Sequence, residues 1–152
     1  MRSLLIITAL ITITVACNKD NLETRPSLKL RSINTSVVPV GGNLIIEFDF
    51  ADKQGDVSDT IFVRKIRINT IVVPTIRDSF TLQVPTFPDK SRGIIELNLK
   101  YQNHLLSAIN PPSSGGTPPN LHDDTLIFKF ALRDEGKNIS DTVTTDPIVI
   151  VR

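Results

Sequence analysis

The side chains best suited to chemistry in this chain are acids set in two similar turns. Residues 51–61 read ADKQGDVSDTI and residues 133–143 read RDEGKNISDTV; each places Asp and Gly in a turn, then resumes with Ser-Asp-Thr and a β-branched residue. Asp49, Asp52, Asp56, Asp59, Asp134 and Asp141 supply hard carboxylate oxygens, the donors that calcium takes. Asp52, Asp56 and Asp134 are the candidate calcium ligands, because turns after the second and sixth strands of a sandwich can lie at one end. Two features weigh against calcium. The 52–56 segment lacks the dense alternating acids of an EF-hand loop, and Lys53 adds a positive charge. Turn chemistry by itself also accounts for these acids, since Gly tolerates positive φ and Asp bonds nearby backbone amides. No other cofactor is implied.

Catalytic groups are not assembled in the sequence. His104 and His122 both fall in a long loop, and a zinc site needs three or four ligands at suitable spacing. His122-Asp123-Asp124 is a fragment of such a site and reads more simply as solvated loop. There is no G-x-S-x-G elbow, no phosphate-cradling glycine loop and no H-E-x-x-H. The expectation is a protein that is not an enzyme.

Three triplets spell Asp-Thr-aliphatic, at Asp59-Thr60-Ile61, Asp124-Thr125-Leu126 and Asp141-Thr142-Val143. They resemble the O-glycosylation motif used on exported proteins by several Bacteroidota, which makes Thr60, Thr125 and Thr142 candidate acceptors. An occupied site must expose its Thr hydroxyl. An acid followed by a β-branched residue is also how a strand leaves a turn. Asn34-Thr35-Ser36 and Asn138-Ile139-Ser140 match the N-glycosylation triplet, a short signal of low specificity.

The only cysteine, Cys17, ends the run MRSLLIITALITITVAC. Arg2 is a short positive n-region, and the apolar stretch from Leu4 to Ala16 falls short of the roughly 20 residues a bilayer requires. Small Ala16 before the cysteine, with Asn18, Lys19 and Asp20 after it, resembles the lipobox of bacterial lipoproteins, although Thr14 stands where that family favours Leu. The resemblance implies diacylglyceryl on the Cys17 sulfur and cleavage before it. Residues 1–16 then form the signal peptide, 17–26 the lipidated cysteine and a short polar tether, and 27–152 the domain. Several acyl chains at about 0.8 kcal/mol per CH₂ hold a protein on a membrane stably. Lys19-Asp20 also resembles, in part, the surface-export signal of Bacteroidota lipoproteins.

Cleavage before Cys17 leaves about 136 residues, enough for one domain with its own core. Removing Arg2 from the 17 basic residues leaves 16 against 16 acids, so nothing in the charge argues for nucleic acid as a partner. Trp is absent and Tyr101 is the only tyrosine, which weakens carbohydrate stacking.

Along the domain the dominant signal is alternation with period two. Leu28 and Leu30; Leu44, Ile46, Phe48 and Phe50; Phe80, Leu82 and Val84; Ile95, Leu97, Leu99 and Tyr101; and Leu126, Phe128, Phe130 and Leu132 each mark one buried strand face. Val143 to Val151 forms a last strand. In TIFVRKIRI the pairs Ile61/Val63 and Ile66/Ile68 are out of phase, which predicts a bulge near Arg64-Lys65. About seven strands predict an all-β, immunoglobulin-like sandwich. Its regularity is broken by loop 102–123, which contains PPSSGGTPP, with a short helical turn expected around Leu105, Leu106 and Ile109.

The paired turns and the lipobox resemble Ig-like domains of uncharacterised Bacteroidota lipoproteins. That resemblance implies a non-catalytic binding or structural module in the bacterial cell envelope, held to the outer membrane by lipid at Cys17, with a protein or glycan partner. The alternative is an accessory glycan- or peptide-binding subunit of an outer-membrane uptake system, using an aromatic platform of Tyr101, Phe62 or Phe87.

Overall fold

Alternation of apolar and polar residues carries through into strands with one buried face each. The computed structural model describes residues 23–69, 77–106, 113, 114, 116 and 120–152; the signal segment, Cys17, Ile109 and most of PPSSGGTPP lie outside them. One sheet has the order β1 (Ser27–Ile33), β3 (Asn43–Ala51), β6 (Arg92–Lys100). The other runs β2 (Val37–Val38), β9 (Ile148–Ile150), β7 (Asp124–Arg133), β4 (Thr60–Arg67), β5 (Arg77–Gln83), with β8 (Val143–Thr144) also on β7. All pairs are antiparallel except β2 with β9.

This is an immunoglobulin-like sandwich. The chain changes sheet between β1 and β2, and Asn34 supports that crossing by donating to Asn43 O and accepting from the Ile45 N–H. The inner faces meet at Phe48 and Phe130, whose rings sit edge to face with centroids 4.9 Å apart. Leu44, Ile46, Ile61, Leu99, Phe128, Leu132, Ile148 and Ile150 are fully buried around them, as are Val38, Val57 and Leu105. The last predicted strand is divided in two, because Pro147 has no N–H to give to a ladder.

Two expectations change. Among the described residues the one register shift is in β1, between Leu30 and Ser32. β4 pairs in continuous register with both β5 and β7, so there is no bulge at Arg64-Lys65. Instead Lys65 and Arg67 take the inward positions after Ile61 and Val63, and both are buried. The helical turn begins earlier than expected, as a single π-type turn at Tyr101–Leu105. Among the described residues no helix is long and apolar enough to cross a membrane.

The registers fix which segments share an end. Ser27 opposes Ala51, Ala51 opposes Arg92, and Thr60 opposes Arg133. One end therefore gathers residues 23–26, the β3–β4 turn, the segment before β6 and the β7–β8 turn. The residues flanking loop 102–123 lie at the opposite end, where Asn43 opposes Lys100 and Arg67 opposes Leu126.

Candidate metal centre

Inward positions on β3 are Leu44, Ile46, Phe48 and Phe50, and on β7 they are Leu126, Phe128, Phe130 and Leu132. Carried two residues further, the same phase reaches Asp52 on one sheet and Asp134 on the other. Both are fully buried just past the strand ends. Asp56 joins them from the β3–β4 turn, and one carboxylate oxygen from each of the three lies within 4.8 Å of the others.

Local hydrogen bonds hold the three in place. Gly55 N–H donates to Asp52 Oδ2 at 2.6 Å, in a turn where Gly55 has φ 79°. A side chain at 55 would also collide with the backbone of Lys90, so only glycine fits there. Asp134 Oδ1 accepts the Asn138 N–H at 2.7 Å, and Asp134 Oδ2 accepts the Asn138 side-chain amide at 2.9 Å. Glu135 N–H reaches Asp56 O at 2.8 Å and ties the two turns together. Asp52 Oδ1 and Asp56 Oδ1 are buried and find no hydrogen-bond partner among the described residues. Burial pushes the Asp52 carboxyl above its ordinary value; the Asp56 carboxyl and the charge of Asp134 add to this, while the Gly55 N–H opposes it.

Three basic side chains of this end, Arg25, Arg133 and Lys137, pair with acids outside the cluster. Arg133 Nε and Lys137 Nζ both reach Asp59 Oδ2 at 2.9 Å, and with Thr60 they hold the Asp59 carboxyl well below the usual range. Arg25 binds Asp141 at 2.7 Å and also Ile139 O. Lys53, expected to disturb the cluster, is exposed. Residues 23–25 lie over these turns: Lys53 N–H donates to Glu23 O at 3.1 Å and the Asn138 amide to Thr24 O at 3.4 Å.

The other sequence candidates scatter. Thr60 is buried and its hydroxyl donates to Asp59, so it fails the exposure condition for glycosylation. Thr125 is half-buried in β7, and Thr142 is exposed. Asp124, before Thr125, is a buried counter-ion bound by Arg67 Nε and, at 2.5 Å, by Arg152. His104 stacks on Phe80 and its Nδ1 accepts the Lys100 N–H at 2.9 Å; burial, then Lys100 and Lys65, lowers its pKa. Tyr101 is no platform: it is buried, with its hydroxyl on Val151 O. Phe62 and Phe87 are half-buried, Phe62 beneath the Arg133 guanidinium. A groove of about 510 Å³ on the outer face of β4, β5 and β7, bordered by Phe62, Arg64, Thr81, Lys129 and Thr142, was not foreseen. The signal for it would have been the outward phase of three strands whose pairing the sequence does not state.

No family model and no curated protein matches this chain. Among solved structures it resembles a β-glucosidase from Listeria innocua in complex with gluconolactone, at 12% identity over 84% of this chain and 16% of that one, with a TM-score of 0.38. It also resembles Spo0M, a sporulation control protein from Bacillus subtilis, at 10% identity over 84% of this chain and 50% of that one, with a TM-score of 0.39. The chain thus spans half or less of either protein, and likeness at this level carries no activity with it.

Proposed function

We propose that this protein is a non-catalytic binding or structural module of the bacterial cell envelope, lipidated at Cys17 and tethered to the outer membrane through residues 17–26. The observation that supports it is the docking of residues 23–25 on one end of the sandwich while the flanks of loop 102–123 lie at the other. A chain anchored through that end turns the flanks of loop 102–123 away from the bilayer and leaves β1, β5 and β6 at the sheet edges. Such edges and loop tips are where sandwiches meet partners. A glycan- or peptide-binding accessory role in an uptake system is the second reading, and the groove on the outer face of β4, β5 and β7 favours it.

Intact mass of the full chain from native-host membranes, beside Cys17→Ser, tests the anchor. The expected result is a chain that begins at Cys17 and carries acyl groups, with the variant unprocessed. A soluble product of unmodified mass overturns the proposal. Added sugar mass that disappears in Thr142→Ala would identify Thr142 as an acceptor.

A further inference from the structure

Both ends of the sandwich carry charged side chains at core-phase positions, but the two ends are balanced differently. At the far end, buried Asp124 meets two arginines, Arg67 and Arg152. At the near end, Asp52, Asp56 and Asp134 converge, while Arg133 and Lys137 are committed to Asp59 and Arg25 to Asp141. Two of the three carboxylates there direct a buried oxygen to no donor among the described residues. Buried acceptors left in that state are costly, and natural structures relieve them.

Turn chemistry leaves this unexplained. One oxygen of Asp52 and both of Asp134 do cap backbone or amide donors, as turn acids should. Asp52 Oδ1 and Asp56 Oδ1 have no such work. A proton shared between two carboxylates bridges one pair and leaves the cluster doubly negative. A divalent cation reaches all three at once and balances more of the charge.

We propose that Asp52, Asp56 and Asp134 form a calcium site that joins the β3–β4 turn of one sheet to the β7–β8 turn of the other. Three carboxylates, each able to bind through one or two oxygens, provide three to six of the six to eight ligands calcium takes. Asp56 is only half-buried, which leaves a route for the ion and for water ligands. The three oxygens lie within 4.8 Å of one another, close enough for one cation to approach all of them. Calcium accepts several carboxylates in a flexible shell, whereas magnesium keeps several waters and takes one or two carboxylates. Gly136 borders the site, where an added Cβ would lie 3.3 Å from Asp134 Oδ1 and 3.7 Å from Asp56 Oδ2.

The test uses the full chain, stripped with chelator and titrated with calcium chloride by calorimetry, with thermal unfolding in parallel. One calcium per chain is expected, at least tenfold tighter than magnesium, with a rise in Tm of about 5–10 °C at saturating calcium. Asp56→Asn and Asp134→Asn should each weaken binding at least tenfold, while Asp141→Asn, outside the cluster, binds like the parent. Should Asp134→Asn fail to fold, the half-buried Asp56→Asn still decides the matter. Absence of saturable calcium binding, or binding unchanged in Asp56→Asn, overturns the site. Equal or tighter magnesium binding overturns its assignment to calcium. None of these readouts depends on lipidation, since Cys17→Ser should bind calcium identically.

Discussion

Lys65 and Asp124 are the residues whose burial most changes the reading of this chain. Lys65 is 4% exposed, and its contacts are long: Asp78 Oδ2 at 3.5 Å and the carbonyls of Leu105 and Leu106 at 3.4 Å. Burial lowers its pKa below the ordinary 10.5, against the pull of Asp78. The unfolded chain then holds this proton more tightly than the folded one, so Lys65 makes stability rise as pH climbs toward 10.5. Lys65→Met keeps the length, removes the buried charge and returns Asp78 to water. It should raise stability by about 1 kcal/mol at pH 7 and reduce the gain between pH 7 and about pH 9.5, as read from urea midpoints. Asp124 is the opposite case, since removing it takes a buried carboxylate away from both Arg67 and Arg152. Asp124→Ala should lose about 3–5 kcal/mol of folding stability, out of a total of about 5–15 kcal/mol for a domain. A loss below about 1 kcal/mol in urea unfolding would mean that Arg67 re-pairs or reaches water.

At the scale of elements, the two look-alike turns do separate jobs at one end. Asp56 and Asp134 converge with Asp52, whereas Asp59 gathers Arg133 from the end of β7, Lys137 from the following turn and Thr60 at the start of β4. Lys137 adopts φ 69°, a conformation side chains seldom take, and its Nζ is held by Asp59. Because the Asp59 carboxyl is held below its unfolded value, its contribution is present above about pH 4 and is lost as pH falls through the acid range. Asp59→Asn should therefore be less stable than the parent at pH 7, with the difference shrinking toward pH 2. A difference that stays constant with pH would show that packing, not charge, is what Asp59 supplies. The candidate site was partly legible: Asp52, Asp56 and Asp134 stand out as turn acids by residue type. Their convergence was not legible, because it depends on β3 and β7 lying in facing sheets with their ends aligned.

For the whole molecule, Leu28, Leu44–Phe50, Ile95–Leu99 and Leu126–Leu132 were enough to announce a sandwich, since strict alternation leaves one face that must be buried against another sheet. The same rule misread TIFVRKIRI. Lys65 and Arg67 occupy inward positions, and their charges looked like an outward face until Asp78 and Asp124 were seen to receive them. Composition, period-two patterning and turn chemistry are local, so the chain by itself determined most of the strands, their inner faces outside β4, and the acid-glycine turns. The sheet partners of each strand, the gathering of residues 23–25 with two acidic turns at one end, and the meeting of three carboxylates were decided only by tertiary structure. Those depend on pairings between residues distant in sequence, whose registers no local pattern contains.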